Sequence, residues 1–341
     1  MQDIVDTELP IVAAPMAGGA TTIDLVAAVA DAGGLGFLAA GYKTPQAMLE
    51  DIGSVRARGL ERFGVNLFLP APSGMSERVF RAYAETLQDD AGRYGLDLSG
   101  APLREDDDHW REKIDALITD PVPVVSVTFG VPDARDVRAL QRVGTRVLVT
   151  VTTVAEALAA REVAPDGLVV QGSDAGGHSG THDPARRIEP VSTEEVVREV
   201  VAAAGLPVIA GGGVDGPEKV RAVLAAGAQA VAVGTLLLRT DESGASRVHR
   251  DALADPRFAE TVITRAFTGR PARALRNAFI EAHEAEAPLG YPVIHHLTRE
   301  MRQAAARAGD ADRVHLWAGT GWRSARTGPV GDAVRDLARL V

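Results

Sequence analysis

Short apolar stretches alternate along the chain with longer segments in which apolar residues return every three to four positions. The short stretches are rich in Val and Ala and most of them end in Gly or Pro, which is typical of buried parallel strands, whereas the longer segments are typical of amphipathic helices. This strand–helix pair occurs eight times before residue 240, which predicts a closed (β/α)8 TIM barrel rather than an open doubly wound sheet. The predicted strands are residues 9–16, 35–40, 63–68, 122–129, 145–151, 168–170, 206–214 and 228–235.

Helix-starting residues follow several of these strands. Thr22, Thr44 and Asp215 stand where N-caps are expected, and Pro45 occupies a first helical turn. The pattern divides the chain into a barrel core over residues 1–240 and a helical extension over 241–341 that packs on the barrel and completes it. Within the extension the predicted helices are 247–254, 272–287, 291–308 and one from residue 329. Inside the core, the charged stretch 95–110 is predicted to be a solvated insertion or a lid.

Composition narrows the function classes. Hydrophobic residues make up 46% of the chain and aromatic residues only 4%, as expected for Val-rich strands under Ala-rich helices. The absence of cysteine excludes disulfides, thiolate metal sites and the cysteine that barrel dehydrogenases of purine nucleotides require. A net charge of −10 argues against nucleic acid or an anionic membrane as partner. Residues 1–6 lack the features of a signal peptide and no apolar run has membrane length, so a cytoplasmic protein is predicted.

Three glycine-rich loops follow late strands of the predicted barrel. Residues 171–180 carry His178, which we interpret as a base with a pKa near neutrality or as an ordinary surface-loop histidine. Residues 211–213 and 234–235 follow strands seven and eight, where such barrels commonly bind phosphate through backbone N–H groups; tight turns are the alternative for either cluster alone. Because no dinucleotide fingerprint or P-loop follows a strand, a phosphorylated cofactor on the barrel rim is favoured. Asn66 must bond to neighbouring backbone or to a ligand.

Seven motifs follow one another along the chain: residues 14–16, 63–68, 172–178, 209–214, 234–235, 264–273 and 317–319. This ordered set resembles the nitronate monooxygenase family, formerly called 2-nitropropane dioxygenases. The resemblance implies an FMN-binding barrel that oxidises alkyl nitronates with O2 to a carbonyl compound and nitrite, without a metal. It implies that His178 is catalytic or orients the substrate. The cofactor-binding residues implied are Ala14, Pro15, Met16, Asn66, Gln171, Gly176, Gly177, Gly212, Gly213, Gly234 and Thr235.

The substrate side departs from the family pattern. Thr128 stands where family members often carry histidine. Thr320 stands where a glutamine often follows Trp-Ala-Gly, and Leu236 stands where an arginine often follows Gly-Thr. Substrate contacts are expected from Thr128 and from one face of a C-terminal helix, although a solvated face explains that pattern equally well. The helix residues are Tyr291, His295 and Arg299.

Other functions stay open at this stage. An NAD(P)H-dependent reductase of quinones or enoyl thioesters would use residues 104–109, Arg270 or Arg273 to meet a dinucleotide phosphate. A flavin-binding protein without turnover fits if Thr128 and Thr320 mark lost substrate contacts. A metal-dependent barrel is disfavoured because the histidine pairs lack a cysteine or an ordered carboxylate partner. Homo-oligomers through the C-terminal helices are a further expectation.

Overall fold

The computed structural model describes residues 4–341; residues 1–3, the start of the predicted barrel core and of the N-terminal stretch, lie outside the described residues. Eight parallel strands form a closed barrel in the order β1-β2-β3-β4-β5-β6-β8-β9, and three strands form a separate antiparallel sheet in the order β10-β11-β7. The predicted TIM barrel is therefore confirmed. The strands are β1 (Ile11–Ala13), β2 (Leu35–Ala39), β3 (Gly64–Phe68), β4 (Val124–Thr128), β5 (Arg146–Val151), β6 (Gly167–Gln171), β7 (Gly177–His178), β8 (Val208–Gly211), β9 (Ala230–Val233), β10 (Thr261–Thr264) and β11 (Ala272–Leu275).

Helices follow most barrel strands and cover the outside of the sheet. The helices are α1 (Ile23–Asp31), α2 (Pro45–Ala57), α3 (Glu77–Thr86), α4 (Gln88–Gly92), α5 (Trp110–Thr119), α6 (Ala134–Arg142), α7 (Val154–Arg161), α8 (Thr193–Ala204), α9 (Pro217–Ala225), α10 (Arg247–Ala252), α11 (Ala278–His283), α12 (Val293–Ala308) and α13 (Val330–Ala338). None of the helices described in residues 4–341 is both long and apolar enough to cross a membrane.

Side-chain caps begin several helices where the sequence predicts them. Thr22 and Thr44 accept hydrogen bonds from Leu25 N and Ala47 N. The predicted cap Asp215 is wrong. The chain stays extended at Gly216, which is the N-cap of α9, so Asp215 lies one residue too early for its side chain to reach the first turn.

The predicted helix 272–287 is also wrong in its first part. Ala272–Leu275 is strand β11, paired with β10 on one side and with β7 on the other. Asn277 then caps α11 through Ile280 N. The sequence is Ala-rich and carries no alternation, so its local pattern favours a helix; the cross-strand pairing that overrides it is non-local.

The apolar core has an inner and an outer layer, and the extension adds to the outer one. Val12, Phe37 and Leu148 belong to the cluster inside the barrel. Val334 of α13 shares a buried cluster with Leu25 of α1, so the last helix covers barrel strands together with the first. The boundary at residue 240 stays a prediction.

Candidate active site

A cavity of about 620 Å³ opens at the carboxyl ends of the barrel strands. All candidate site residues but one line it, because the loops that follow parallel strands converge at this end of a barrel. Tyr291 is the exception: it precedes α12 and packs edge-on against His178, with ring centroids 5.5 Å apart. The lining candidates are Ala14, Pro15, Met16, Asn66, Thr128, Gln171, Gly176, Gly177, His178, Gly212, Gly213, Gly234, Thr235, His295 and Arg299.

The loop after β8 turns two N–H groups toward this cavity. The carbonyl of Gly211 accepts the Gly172 N–H at 2.9 Å, and the carbonyl of Gly212 accepts the Thr193 hydroxyl at 3.0 Å. In a trans peptide the N–H points opposite to the C=O. The N–H groups of Gly212 and Gly213 therefore point away from β6 and α8, and they meet no protein acceptor within residues 4–341.

The loop after β9 adds a third N–H group. We call the N–H groups of Gly212, Gly213 and Gly234 together the glycine cradle. The Gly234 N–H also lacks an acceptor in the described chain, and Met16 lies beside it. Thr235 Oγ1 accepts the Gly319 N–H at 3.0 Å, which ties the loop to the C-terminal segment. Three unpaired N–H groups on one wall suit the oxygens of a phosphate.

Gln171 holds the glycine loop 172–180 closed from within. Its Nε2 donates to the His178 carbonyl at 2.9 Å, and its Oε1 accepts the Gly180 N–H at 2.6 Å. A Cβ atom at Gly176 would lie 2.5 Å from Gly319 N, so the loop can pack against the C-terminal segment only with glycine there. The loop is thus a braced element rather than a free surface loop.

His178 is fixed at one edge and flanked by aromatic rings, and it is half-buried. Its Nε2 lies 2.9 Å from Thr268 Oγ1, and that hydroxyl donates to the Arg270 carbonyl at 3.3 Å. Because a hydroxyl has one proton, the Thr268 oxygen accepts from His178 Nε2–H and leaves the Nδ1 lone pair free. Burial, aided by Arg270 and Arg302, lowers the pKa of His178 to about 3. The expected pKa near neutrality is therefore wrong, because the loop is enclosed.

Hydroxyl groups surround Asn66 at the cavity floor. Its Oδ1 accepts from Ser126 Oγ at 2.8 Å and from Thr128 Oγ1 at 2.9 Å. Thr150 continues the chain at 3.2 Å from Thr128. The Asn66 Nδ2 has no partner in the described chain and remains available to a ligand. The sequence left open a bond from Asn66 to neighbouring backbone or to a ligand. The structure instead pairs its oxygen with two side-chain hydroxyls, and its nitrogen is free.

The sequence did not single out two aromatic residues at this end of the barrel. Tyr42 and Phe129 follow β2 and β4 with φ angles of 67° and 86°, a region in which non-glycine residues are uncommon. Tyr42 stacks on His295 at 4.1 Å between ring centroids. Phe129 packs against Phe68 at 4.6 Å. No sequence signal marks either residue, since aromatic side chains after strands are common in cores.

Two buried arginines give the site its positive charge, and neither pairs with a carboxylate of the described chain within 4 Å. Arg270 lies over the Phe129 ring, with Cζ 3.9 Å from the centroid, and donates to the carbonyls of Ser179 and Thr181. Arg302 lines the cavity and is 5% exposed. Burial lowers the pKa of each arginine to about 10, so both stay charged at neutral pH.

The arginines expected to meet a dinucleotide phosphate are engaged elsewhere. Arg270 is buried under Phe129, and Arg273 donates from Nε to the Ser173 carbonyl at 3.0 Å. Arg302, which the sequence analysis missed, lies seven residues after His295. Residues separated by two helical turns lie on the same face of a helix, so this spacing could have placed Arg302 beside His295.

The structure shows the surroundings of two residues that depart from the family pattern, Leu236 and Thr320. Leu236 is 7% exposed and packs into the outer barrel core, and the Thr320 N–H donates to the Asp174 carbonyl at 3.0 Å beside Gly213. His182 Nε2 donates to the Thr150 carbonyl at 2.9 Å. No group of three potential metal ligands occurs among residues 4–341.

Fold and site together define a class: a (β/α)8 barrel enzyme whose candidate active site opens at the carboxyl ends of its strands. The chain belongs to the nitronate monooxygenase family, whose model matches residues 1–339. A "probable nitronate monooxygenase" of Staphylococcus aureus strain Newman is 34% identical over 345 residues, covering 100% of this chain and 96% of the relative. The resemblance of the motifs is thereby confirmed. The protein is an enzyme of the oxidoreductase class, in a family of flavoproteins.

Solved structures agree with this placement. A nitroalkane oxidase from Streptomyces ansochromogenes is 46% identical, with a TM-score of 0.95 over 99% of this chain and 97% of that one. FabK from Thermotoga maritima is more distant, at 25% identity and a TM-score of 0.76 over 99% and 94% of the two chains. The family and the likeness to the nitroalkane oxidase support oxidation of nitronates or nitroalkanes.

Proposed function

We propose that the protein binds FMN and uses O2 to oxidise alkyl nitronates to a carbonyl compound and nitrite. One observation carries the proposal: the three unpaired N–H groups of the glycine cradle and the free Nδ1 of His178 face the same cavity. A single phosphate cradle fits a mononucleotide better than a dinucleotide. We also propose, as the sequence suggests, a cytoplasmic enzyme that can form homo-oligomers.

The residues present fit the cofactor. Gly212, Gly213 and Gly234 would hold the phosphate through their N–H groups, and Asn66 Nδ2 would hydrogen-bond to the polar edge of the ring system. Met16 would pack against its apolar surface. Bound there, a flavin supplies the one-electron chemistry that a nitronate carbon requires.

The side chains around the cavity then bind and orient the substrate. A nitronate is already an anion, so it needs no base, and Arg302 favours negative charge in the cavity. His178 would orient the substrate, or take the α-proton of a neutral nitroalkane at Nδ1. Its lowered pKa makes it a weak base, which favours nitronates over nitroalkanes as substrates.

The absorption spectrum of the purified protein tests the proposal. We expect a bound FMN spectrum that bleaches when ethyl nitronate is added without air and returns when air is admitted. A protein that takes up no FMN would reject the cofactor assignment. Bleaching by NADH but not by nitronate would favour the NAD(P)H-dependent reductase instead, and a bound flavin that neither compound reduces would favour a non-catalytic flavin-binding protein.

A further inference from the structure

One wall of the cavity is built around the guanidinium of Arg302. Its Nε donates to Thr298 Oγ1 at 3.0 Å and its Nη2 to the His295 carbonyl at 2.9 Å. The remaining contacts are to two imidazole rings, at 3.3 Å from Nη2 to His295 Nδ1 and 3.3 Å from Nη1 to His315 Nδ1. Both rings line the cavity.

These contacts fix the proton positions of both rings. A guanidinium has only N–H donors, so the Nδ1 atom that it meets must carry a lone pair. Burial and the nearby Arg302 lower the pKa of both His295 and His315 well below the ordinary value, so both rings are neutral. A neutral ring that is unprotonated at Nδ1 carries its proton on Nε2.

The two Nε2–H groups have no other use in the protein. Within residues 4–341 neither Nε2 meets a hydrogen-bond acceptor, and neither is sealed from the cavity. The arrangement therefore presents two neutral donors backed by one buried positive charge. Two donors beside a cation are complementary to the two oxygens of a planar oxyanion.

We propose that Arg302 positions His295 and His315 as Nε2–H donors, and that this triad recognises the two oxygens of the substrate's charged nitro group. The inference rests on the proposed function only for the identity of the oxyanion. Arg302 itself is a positioning residue, since it acts through the two rings. Other planar oxyanions, such as nitrate, are expected to bind at the same place.

The protonation of the wild-type rings gives a direct test. In flavin-loaded protein with ¹⁵N-labelled histidine, long-range ¹H–¹⁵N correlation distinguishes Nδ1–H from Nε2–H, and the single variants His295→Gln and His315→Gln assign the signals. We expect both rings as neutral Nε2–H forms at pH 7. An Nδ1–H form in either ring overturns the proposal, whatever the activity of the enzyme.

Binding of nitrate, which is not turned over, tests the recognition step. The dissociation constant is read from the change in flavin absorbance on titration. We expect Arg302→Met to weaken nitrate binding about tenfold to hundredfold, since both rings lose the group that holds them as Nε2–H donors and the buried positive charge behind them is removed. Arg302→Lys should also bind weakly, because one ammonium cannot hold both rings. Arg307→Met removes an exposed charge from the same helix and should bind nitrate as the wild type does.

The outcomes separate this inference from the proposed function. Wild-type nitrate affinity in folded, flavin-loaded Arg302→Lys would reject the positioning role. Arg302-dependent nitrate binding in a protein that does not oxidise nitronates would support the triad and reject the nitronate assignment.

Discussion

At the scale of single residues, enclosure decides how His178 can act. Burial lowers its pKa to about 3, with smaller contributions from Arg270 and Arg302. The ring is therefore neutral at any working pH, and its hydrogen bond to Thr268 leaves Nδ1 as the available lone pair. Such a ring can orient a bound anion well and accept a proton only with difficulty.

Replacing His178 by Asn should separate these two roles. We expect the variant to keep its flavin, to lose activity on neutral nitroethane by about 10²-fold or more, and to lose less on ethyl nitronate, because only the neutral substrate needs a base. Initial rates of O2 consumption with the two substrates measure the effect. His182→Asn, two residues beyond the loop and outside the cavity, is the control and should keep the wild-type ratio of rates. Equal losses on both substrates would contradict the role as a base.

The cradle can be tested at Gly213. This residue has a φ of +66°, and an added Cβ would lie 2.8 Å from the Asp174 Cβ and 3.0 Å from Thr320 Oγ1. We expect Gly213→Ala to weaken FMN binding at least about tenfold, since the left-handed conformation alone costs about 1–2 kcal/mol and the clash displaces the N–H. Quenching of FMN fluorescence on titration of the apoprotein measures it.

Gly74→Ala is the matched control for that substitution. Gly74 has nearly the same φ, +65°, but no atom within 4 Å of an added Cβ, and it lies away from the cavity. The Gly74→Ala variant should have a lower free energy of unfolding, because alanine is strained at this φ, but it should bind FMN as the wild type does. If both variants bind FMN as the wild type does, the loop after β8 does not hold the phosphate.

At the scale of elements, the loop 172–180 is positioned by contacts from three directions. Gln171 braces it from inside, and Ala272 of β11 pairs with His178. Gly319 of the C-terminal segment packs against Gly176. The extension beyond residue 240 therefore helps to place the histidine that a barrel loop carries.

Removing the inner brace should loosen this loop. Gln171→Leu loses two hydrogen bonds, which costs about 2 kcal/mol, and we expect faster hydrogen exchange in residues 172–180 and a lower kcat. Gln141→Leu removes a comparable brace, from Nε2 to the Ala164 carbonyl and to Asp166, at the opposite end of the barrel. That control should lose similar stability with no change in kcat. Unchanged exchange in 172–180 would show that β11 and Gly319 hold the loop by themselves.

The sequence predicts the strands and helices of the barrel, but not the long-range contacts and the burial that shape its active site. Most barrel strands are local apolar runs before a glycine or proline, so the order of eight units and the cavity residues on their loops follow from local pattern. Strand β11 and the brace from Gln171 depend on pairing between residues far apart in the chain. The low pKa of His178 and the buried Arg302 depend on enclosure, which no local pattern reports.

At the scale of the whole molecule, an acidic protein encloses a positively charged cavity. The chain has a net charge of −10, yet the site holds Arg270 and Arg302 without carboxylate partners. Carboxylates elsewhere keep the surface acidic, while the low-dielectric site retains its own charge. A small anion is thus favoured inside a molecule whose exterior repels larger polyanions.

The histidines of the cavity should make the whole molecule sensitive to acid. Burial lowers the pKa of His178 to about 3 and of His249 to about 4, and it holds the pKa of His295 and of His315 well below the ordinary value. Between these values and about 6.5 the unfolded chain binds protons that the native protein does not, so the free energy of unfolding falls as pH decreases.

Each fully shifted histidine should contribute about 2 kcal/mol to the loss between pH 7 and pH 5. Urea unfolding of the flavin-loaded protein at the two pH values measures that loss. In His249→Gln, where an amide can still donate to the Trp317 carbonyl, we expect the loss to be smaller by about 2 kcal/mol. His109→Gln removes an exposed histidine instead and should follow the wild type. An equal loss in wild type and His249→Gln would mean that His249 becomes protonated as readily in the native cavity as in the unfolded chain.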